Sequence, residues 1–493
     1  MVALLALDRL EKRYGAVQAV DGVSVAFEAG RLHVVVGENG AGKSTLLKMA
    51  AGAVRADAGE VRIDGVRLEP YTPHEAIRRG VSMVQQHFAL VGVLTALQNV
   101  MLGAEPVTSF GRLDVDAARA RAQAVASDMG VRVPWDAPVE TLGVGDRQRL
   151  EIVRALVREA RVLLLDEPTA VLTPREADAL YAALRRLADA GRAVVVVTHR
   201  LDEVRDHADV VTVMRTGRVV STRAGLHADP VALHQLTCDI MGQEPPPPLE
   251  RRAREHGEVR LDVRDLRLGR ALRGVSLQVR AGQILGIAGV EGNGQRELVR
   301  VLAGLQVPDG GEVQGDPIAV VHEDRHAEGL VLAATVRDNL VLGQLARFTR
   351  FGLVDRRALE LTARSRLERA GIVPPDLDAP AAALSGGNQQ KIVVARAIAR
   401  APEVGAFVFA QPTRGVDLVA ARAIHAEIVR VAEAGKAVLV VSADLAELHA
   451  LCERLLVMSR GRIVADLPAH AADDVIGDAM LGGAGEGPAE IRV

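Results

Sequence analysis

The fold of this chain is decided by the stretch Leu32-His33-Val34-Val35-Val36-Gly37-Glu38-Asn39-Gly40-Ala41-Gly42-Lys43-Ser44-Thr45. Its apolar start predicts a buried strand, and the G-x-x-x-x-G-K-[ST] pattern predicts a phosphate-binding loop (P-loop) followed by a helix that begins at Lys43. Small residues let backbone N–H groups approach phosphate oxygens, Lys43 adds a full positive charge, and the Ser44 hydroxyl can ligate Mg²⁺. The candidate phosphate-binding residues are Gly37, Glu38, Asn39, Gly40, Ala41, Gly42, Lys43, Ser44 and Thr45. The pattern alone also fits a glycine-rich turn with a lysine by chance.

Length and composition indicate a globular protein with several domains. The chain has 493 residues, 49% of them hydrophobic and 25% charged, which is typical of about two to four domains with buried cores. A net charge of -3 gives no overall basic field, so no nucleic-acid partner is expected. Cys238 and Cys452 are far apart and lack metal-ligand spacing, which favours apolar filler in a reducing compartment.

The sequence shows no segment that would cross a membrane. Residues 1–7 are apolar, but they reach Asp8 and Arg9 without a charged leader or a cleavage site. No run approaches the roughly 18 uncharged apolar residues that a spanning helix needs. We therefore expect a protein that does not enter a membrane by itself.

An internal repeat indicates the domain organisation. The segment from Gly30 to Gly42 recurs from Gly282 to Gly294, so the chain reads as a tandem duplication. Pro245-Pro246-Pro247-Pro248 and the charged residues after it predict a semi-rigid spacer between the copies. The expected organisation is a first domain at 1–240, a linker at 241–257, a second domain at 258–481 and a loose tail at 482–493.

Polar side chains follow three apolar runs in the first copy. Residues 162–165 precede Asp166 and Glu167, residues 193–197 precede Thr198 and His199, and residues 81–84 precede Gln85 and Gln86. Buried parallel strands place such residues at one sheet edge, where ligands bind. There Asp166 can hold Mg²⁺ and Glu167 can accept a proton from an attacking water.

The order of these motifs resembles that of ATP-binding-cassette (ABC) ATPases. The matching features, in chain order, are Tyr14, the P-loop, Gln86, the signature-like residues 142–149, Asp166 with Glu167, and His199. In the second copy, Leu384-Ser385-Gly386-Gly387-Asn388-Gln389-Gln390-Lys391 is similar to the LSGGQ signature of that family. The resemblance covers nearly the whole chain and implies an α/β fold. It implies two tandem P-loop ABC nucleotide-binding domains, each with a RecA-like, mostly parallel sheet core, an antiparallel β subdomain and a helical subdomain.

Short loop strings resemble the energising subunits of bacterial simple-sugar and nucleoside importers, most closely the nucleoside branch. The strings are residues 166–174, residues 289–295, Glu323-Asp324-Arg325 and residues 411–417. This resemblance implies an ATPase on the cytoplasmic face of the cell membrane. Its partners would be integral-membrane permease subunits and, indirectly, an extracytoplasmic solute-binding protein. The alternative is a soluble twin-cassette ATPase acting on ribosomes or nucleic acid, a class with a long basic linker unlike the short Pro-rich one here.

The resemblance also implies roles for individual residues. Glu167, His199 and Gln86 are expected to be catalytic, and Ser44, Gln86 and Asp166 to hold Mg²⁺. Tyr14, placed before the first strand pair, is expected to face the adenine of ATP. Cassettes of this family pair head to tail, so the ATP on the first P-loop is expected to meet Ser385, Gly386, Gly387 and Asn388 of the second copy.

The second copy lacks most of the catalytic groups. The replacements are Lys43 by Gln295, Ser44 by Arg296, Asp166 by Ala410, Glu167 by Gln411, His199 by Ala443 and, by alignment of a shortened segment, Tyr14 by Leu268. The first copy has instead lost its signature, with Gly143 and Val144 where serine and glycine are expected. Since the intact parts fall in one composite site, we expect a single hydrolytic site.

Two segments are candidates for contact with permeases. Residues 87–91 follow Gln86, and residues 329–332 follow Glu323 at the corresponding place in the second copy. Their apolar character fits a docking surface and fits the core of each helical subdomain equally well.

Overall fold

The computed structural model describes residues 3–15, 17–85, 89–108, 110–169, 172, 174–225, 230–242, 244, 256–290 and 292–480. Its contacts divide the chain into two compact units, Met1–Pro246 and Pro247–Val493. Most of the predicted linker and all of the predicted tail lie outside the described residues. Within the described part of the chain, none of the helices is both long and apolar enough to span a membrane.

The first unit combines ten strands with eight helices over its described residues. The strands are Ala3–Tyr14 (β1), Val17–Glu28 (β2), Leu32–Gly37 (β3), Ala58–Ile63 (β4), Val66–Arg67 (β5), Val81–Val84 (β6), Val162–Asp166 (β7), Ala193–Val197 (β8), Val210–Arg215 (β9) and Arg218–Ala224 (β10). The helices are Lys43–Ala50 (α1), Pro73–Arg78 (α2), Ala96–Met101 (α3), Val115–Met129 (α4), Val144–Val157 (α5), Pro174–Asp189 (α6), Leu201–His207 (α7) and Pro230–Met241 (α8), with a 3-10 turn at Val139–Thr141.

The first unit has two sheets. The larger has the strand order β10-β9-β3-β8-β7-β6, in which β9, β3, β8, β7 and β6 run parallel. The smaller is antiparallel, in the order β2-β1-β4-β5. Strands β3, β7 and β8 are buried at every position, because helices cover one face of the larger sheet and the smaller sheet the other.

Two apolar cores hold the first unit together. One joins one face of the larger sheet to helices α3 to α6 and contains Val34, Leu163, Val196, Leu150 and Leu184. The other joins the opposite face to the antiparallel sheet and α1 and contains Val35, Leu164, Val195, Leu46 and Phe27. Alternate residues of each central strand therefore enter different cores, as the pleat requires.

The second unit repeats the pattern of the first. Its strands are Val259–Leu268 (β11), Leu272–Arg280 (β12), Ile284–Ala288 (β13), Gly310–Gly315 (β14), Ile318–Val321 (β15), Thr349–Arg350 (β16), Leu353–Val354 (β17), Ala406–Ala410 (β18), Ala437–Ser442 (β19), Arg454–Ser459 (β20) and Arg462–Pro468 (β21). Its helices are Gln295–Leu302 (α9), Val336–Val341 (α10), Arg356–Arg369 (α11), Gly386–Ile398 (α12), Leu418–Glu433 (α13), Leu445–Leu451 (α14) and Asp473–Met480 (α15). A π turn at Arg325–Gly329 and 3-10 turns at Leu345–Phe348 and Ala381–Ala383 complete it.

The sheets of the second unit correspond to those of the first, with one strand fewer in the antiparallel sheet among the described residues. The mostly parallel sheet has the order β15-β18-β19-β13-β20-β21, and the antiparallel sheet has the order β12-β11-β14. A two-stranded hairpin, β16-β17, lies between α10 and α11. The predicted α/β architecture, with a mostly parallel sheet, an antiparallel subdomain and a helical subdomain in each copy, is confirmed.

Candidate active site

The P-loop of the first unit lies between β3 and α1, where two glycines are required by close packing. A Cβ on Gly37 would lie 2.0 Å from the carbonyl oxygen of Met214, and one on Gly42 would lie 2.1 Å from that of Ala19. Both glycines also have positive φ, 154° and 95°, so any L side chain would be strained there. The loop geometry therefore depends on the neighbouring strands β9 and β2, not on the loop residues alone.

Lys43 points back into the loop. It is 5% exposed, and its Nζ donates to the carbonyl oxygens of Gly37 and Glu38, each at 2.8 Å. No side chain caps the start of α1 among the described residues. The loop thus combines a buried ammonium group with a helix N-terminus, an arrangement that attracts phosphate.

Ser44 and Asp166 are brought together from α1 and from the end of β7. The Ser44 hydroxyl donates to Asp166 Oδ1 at 3.0 Å. Burial and the nearby charge of Glu167 raise the pKa of Asp166, although the Ser44 hydrogen bond and two lysines oppose the shift. A hydroxyl and a carboxylate side by side fit Mg²⁺, which keeps several waters and takes its other ligands from substrate phosphates. The third predicted ligand, Gln86, lies outside the described residues.

Glu167 and His199 face each other across the ends of β7 and β8. Glu167 Oε1 and His199 Nδ1 are 3.3 Å apart, and both side chains are partly buried. Burial raises the pKa of Glu167, but the hydrogen bond and charge of His199, together with Lys43, outweigh it and lower that pKa overall. The same contact raises the pKa of His199 against its own burial. Glu167 therefore stays ionised and can act as a proton acceptor.

The backbone at Glu167 is strained. Its φ is 49°, in the left-handed region that non-glycine residues seldom adopt, and its N–H donates to the carbonyl of Val197 at 2.9 Å. Gln411 of the second unit has the same conformation, with φ of 46° and a 2.7 Å hydrogen bond to Val441. The strained turn persists in the second unit although the carboxylate is absent there.

A buried carboxylate behind His199 was missed by reasoning from the sequence. Glu203, in the first turn of α7, accepts hydrogen bonds from Thr198 Oγ1 and Tyr181 Oη, each at 2.8 Å. Thr198 directly precedes His199, so this network fixes the end of β8 that carries the histidine. The sequence offers one signal for this carboxylate, which is the position of Glu203 shortly after His199. It offers none for the contact with Tyr181, since Tyr181 lies on a different helix.

Tyr14 differs from its predicted position. It is the last residue of β1 and pairs with Val17 at the start of β2, so it lies within the first strand pair and not before it. Its side chain is 49% exposed, and Lys12 Nζ lies 5.7 Å from the ring centroid. Leu268, the predicted counterpart of Tyr14, likewise ends its strand, β11.

The corresponding edge of the second unit has different contacts. Gln295 Nε2 donates to the carbonyl of Val290 at 3.0 Å, so it closes the loop without a charge. Gln411 Oε1 lies 3.4 Å from both Ser442 Oγ and the backbone nitrogen of Ala443. An amide and alanine methyl groups at these positions provide neither a proton acceptor nor a metal ligand of the carboxylate kind.

The signature segment of the second unit is ordered by its own side chains. Ser385 caps α12, and its Oγ accepts from the backbone N–H of Asn388 at 3.4 Å and from Asn388 Nδ2 at 3.0 Å. Both contacts use the oxygen as acceptor, so the hydroxyl proton is available for donation. Asn388 is held in turn by Val373, whose N–H donates to its Oδ1 at 3.0 Å.

Comparison with known proteins agrees with this architecture. The model of the ABC transporter family matches residues 20–170 and 272–406. A ribose import ATP-binding protein of Rubrobacter xylanophilus is 40% identical over 98% of this chain and 99% of its own length. A nucleoside import ATP-binding protein of Lactococcus lactis is 35% identical over 96% and 97%.

A solved structure entitled RNase-L Inhibitor is similar in fold alone, at 20% identity and a TM-score of 0.66 over 96% of this chain and 92% of its own. The family match covers more than half of the chain, and the import ATP-binding proteins match it almost from end to end. The chain therefore belongs to the ABC transporter family.

Proposed function

We propose that the chain is the ATP-hydrolysing subunit of a solute importer and that one nucleotide site does the hydrolysis. The observation that carries this proposal is the cluster at one sheet edge of the first unit: Lys43, Ser44, Asp166, Glu167 and His199. The relatives that match nearly end to end are ATP-binding proteins of import systems.

The residues of the cluster have separate tasks. Lys43 and the N-terminus of α1 bind the phosphates of ATP, and Glu167 accepts the proton of the attacking water. His199 holds Glu167 in its ionised form through the contact described above. Ser44 and Asp166 would hold Mg²⁺, which neutralises charge that develops on the phosphates.

The site is completed, in this proposal, by the signature of the second unit. Ser385 would donate its hydroxyl proton to the terminal phosphate, and Gly386, Gly387 and Asn388 would offer the N-terminus of α12. What supports this pairing is the distribution of lost residues, because the unit with the working P-loop lacks the serine of the signature and the unit with the serine lacks the carboxylates.

Membrane permeases are the proposed partners, with a solute-binding protein acting through them. The chain would then work at the cytoplasmic face of the membrane, on a simple sugar or a nucleoside. Of the candidate docking residues, Val331 is 49% exposed, whereas Leu330 is buried and Leu332 packs on the core of its unit. In the first unit Leu90 also packs on the core, and residues 87 and 88 lie outside the described residues.

Purification of the tagged full chain from its native membranes tests this proposal. We expect integral-membrane permeases to co-purify and to stimulate ATP hydrolysis. The alternative, a twin-cassette ATPase acting on ribosomes or nucleic acid, would be supported if ribosomes co-purified and stimulated hydrolysis. That result would overturn the importer proposal.

A further inference from the structure

The proposed function assigns no role to the motif Glu323-Asp324-Arg325, which follows β15. It occupies the place that Gln86 and the two residues after it occupy beyond β6 in the first unit. Glu323 forms an ion pair with Arg414, from the loop after β18. Asp324 Oδ1 accepts from the N–H groups of His326 and Ala327, each at 3.0 Å, and so begins the π turn.

Arg325 joins three segments of the second unit. Its Nε donates to Gln389 Oε1 at 3.3 Å, and its Nη1 donates to the carbonyl of Arg414 at 3.1 Å. His326 Nε2 lies 2.9 Å from the same Gln389 oxygen. Gln389 Nε2 donates to the carbonyls of Ala381 and Leu384 at 3.1 and 3.2 Å, and these hydrogen bonds fix the orientation of the amide. Arg325 thus ties the loop after β15 to the first turn of α12 and to the loop after β18.

Gly386 makes room for the Arg325 side chain. A Cβ at Gly386 would lie 2.7 Å from Arg325 Nη2 and 3.1 Å from the carbonyl oxygen of Gly415. The aligned residue of the first copy is Val144, which carries a β-branched side chain. The second copy, which has glycine at this position of its signature, therefore has space for the Arg325 side chain.

The position of the guanidinium is electrostatically unusual. It lies against the N-terminus of α12, which has positive partial charge and no acidic residue in its first turn. The adjacent carboxylate of Asp324 caps the turn of residues 325–329. Asp417 Oδ1 accepts from Ala420 N–H at 2.8 Å and caps α13, while its Oδ2 lies beside Gly387 in the first turn of α12, 3.5 Å from where a Cβ would be. The Arg325 guanidinium and the N-terminus of α12 are both positive and repel each other while no anion is bound. A bound anion is attracted by both groups.

We propose that Arg325 is a positioning residue for the proposed nucleotide site: it fixes the signature turn at Ser385 to Asn388 and adds positive charge to it for the terminal phosphate of ATP. This inference rests on the proposed function. Arg325 would act through α12 and not by touching the nucleotide. ADP lacks the terminal phosphate, so ADP should not respond to the change.

The experiment measures binding of fluorescent ATP and ADP analogues to the full chain assembled with its permeases. All variants carry Glu167→Gln to prevent turnover. Arg325→Ala should weaken binding of the ATP analogue about tenfold and leave ADP unchanged, because the N-terminus of α12 loses its support and a neighbouring positive charge, to which only the terminal phosphate of ATP would respond. Arg325→Lys should recover part of the affinity, since it keeps the charge but not the forked geometry.

Arg366→Ala is the matched control. Arg366 is also partly buried in the second unit and also donates to a carbonyl and an amide oxygen, those of Leu340 and Gln344, at 2.6 and 2.7 Å. This control should leave both affinities unchanged. Three results would overturn the inference. They are an unchanged affinity of Arg325→Ala for ATP, an equal loss of its affinities for ATP and ADP, and the same loss of ATP affinity in Arg366→Ala. Failure of the unmodified complex to hydrolyse ATP would instead count against the proposed function.

Discussion

At the scale of single residues, Glu167 is the proposed acceptor of the proton of the attacking water. Glu167→Gln should retain ATP binding, since Lys43, Ser44 and Asp166 remain. It should lower hydrolysis by about 10²- to 10⁴-fold, because the proton acceptor is gone. Binding of a fluorescent ATP analogue and single-turnover phosphate release measure the two effects separately. Hydrolysis near the parent rate would show that Glu167 is not the base.

His199 and Glu167 should also set the response to pH. The contact with His199 lowers the pKa of Glu167 against burial, so His199→Ala should let that pKa rise. We expect a lower rate and an acid limb of the rate profile at higher pH than in the parent protein. Single-turnover hydrolysis across the acid range checks this, and an acid limb that does not move would contradict it.

The same pair has a defined effect on stability. A lowered Glu167 pKa stabilises the fold fully above the ordinary value of 4.5 and less as the pH falls. A raised His199 pKa stabilises it fully below the ordinary value of 6.5 and less as the pH rises. The contribution of the pair is therefore greatest between these two values.

At the scale of secondary-structure elements, Tyr181 and Glu203 join α6 to α7 beside the end of β8. Tyr181→Phe removes one hydrogen bond from Oε2 of a buried carboxylate, which keeps the hydrogen bond from Thr198 Oγ1 and the ion pair between Oε1 and Arg200 Nε, at 3.4 Å. We expect a loss of about 1–3 kcal/mol in the free energy of unfolding, measured in urea. Tyr71→Phe is the control, since Tyr71 donates only to the neutral carbonyl of Met49, at 2.6 Å, and should cost less.

The N-terminus of α12 is the element that distinguishes the two signatures. Ser385→Ala should lower hydrolysis about 10²-fold, because one preorganised donor to the terminal phosphate is lost. Gly143→Ala, the mirror change in the first unit, should have little effect, since its new Cβ would be 3.9 Å from its nearest neighbour, Asp146 Oδ2. Steady-state ATPase activity compares them, and thermal unfolding controls for the lost cap at Ser385. Equal losses would indicate two working sites.

At the scale of the whole molecule, we expect the P-loop of the first unit to support ATP hydrolysis and that of the second unit not to. Lys43→Ala removes the buried charge of the first P-loop and should abolish hydrolysis, whereas Gln295→Ala replaces a neutral side chain and should leave hydrolysis near the parent rate. Phosphate release by both variants, with the permeases present, gives the comparison. A large loss in Gln295→Ala would mean that the second P-loop also turns over ATP.

The strands that carry the site follow from the sequence alone. Runs such as residues 162–165 and 193–197 are apolar at every position, a pattern that a strand buried on both faces of a parallel sheet satisfies. Their carboxyl ends then have to meet at one edge, which brings Glu167 to His199. The P-loop and the duplication were equally evident, because both are local patterns of residue type.

Contacts between distant segments were decided only by the tertiary structure. Tyr181 meets Glu203, and Arg325 meets Gln389, because packing of helices and loops brings side chains together that no period or spacing relates. Gly386 appears in the sequence as a phosphate-binding glycine, yet its missing Cβ also leaves the room that Arg325 fills. The packing of Arg325 against Gly386 joins residues that are far apart in the chain, so no local sequence pattern predicts it.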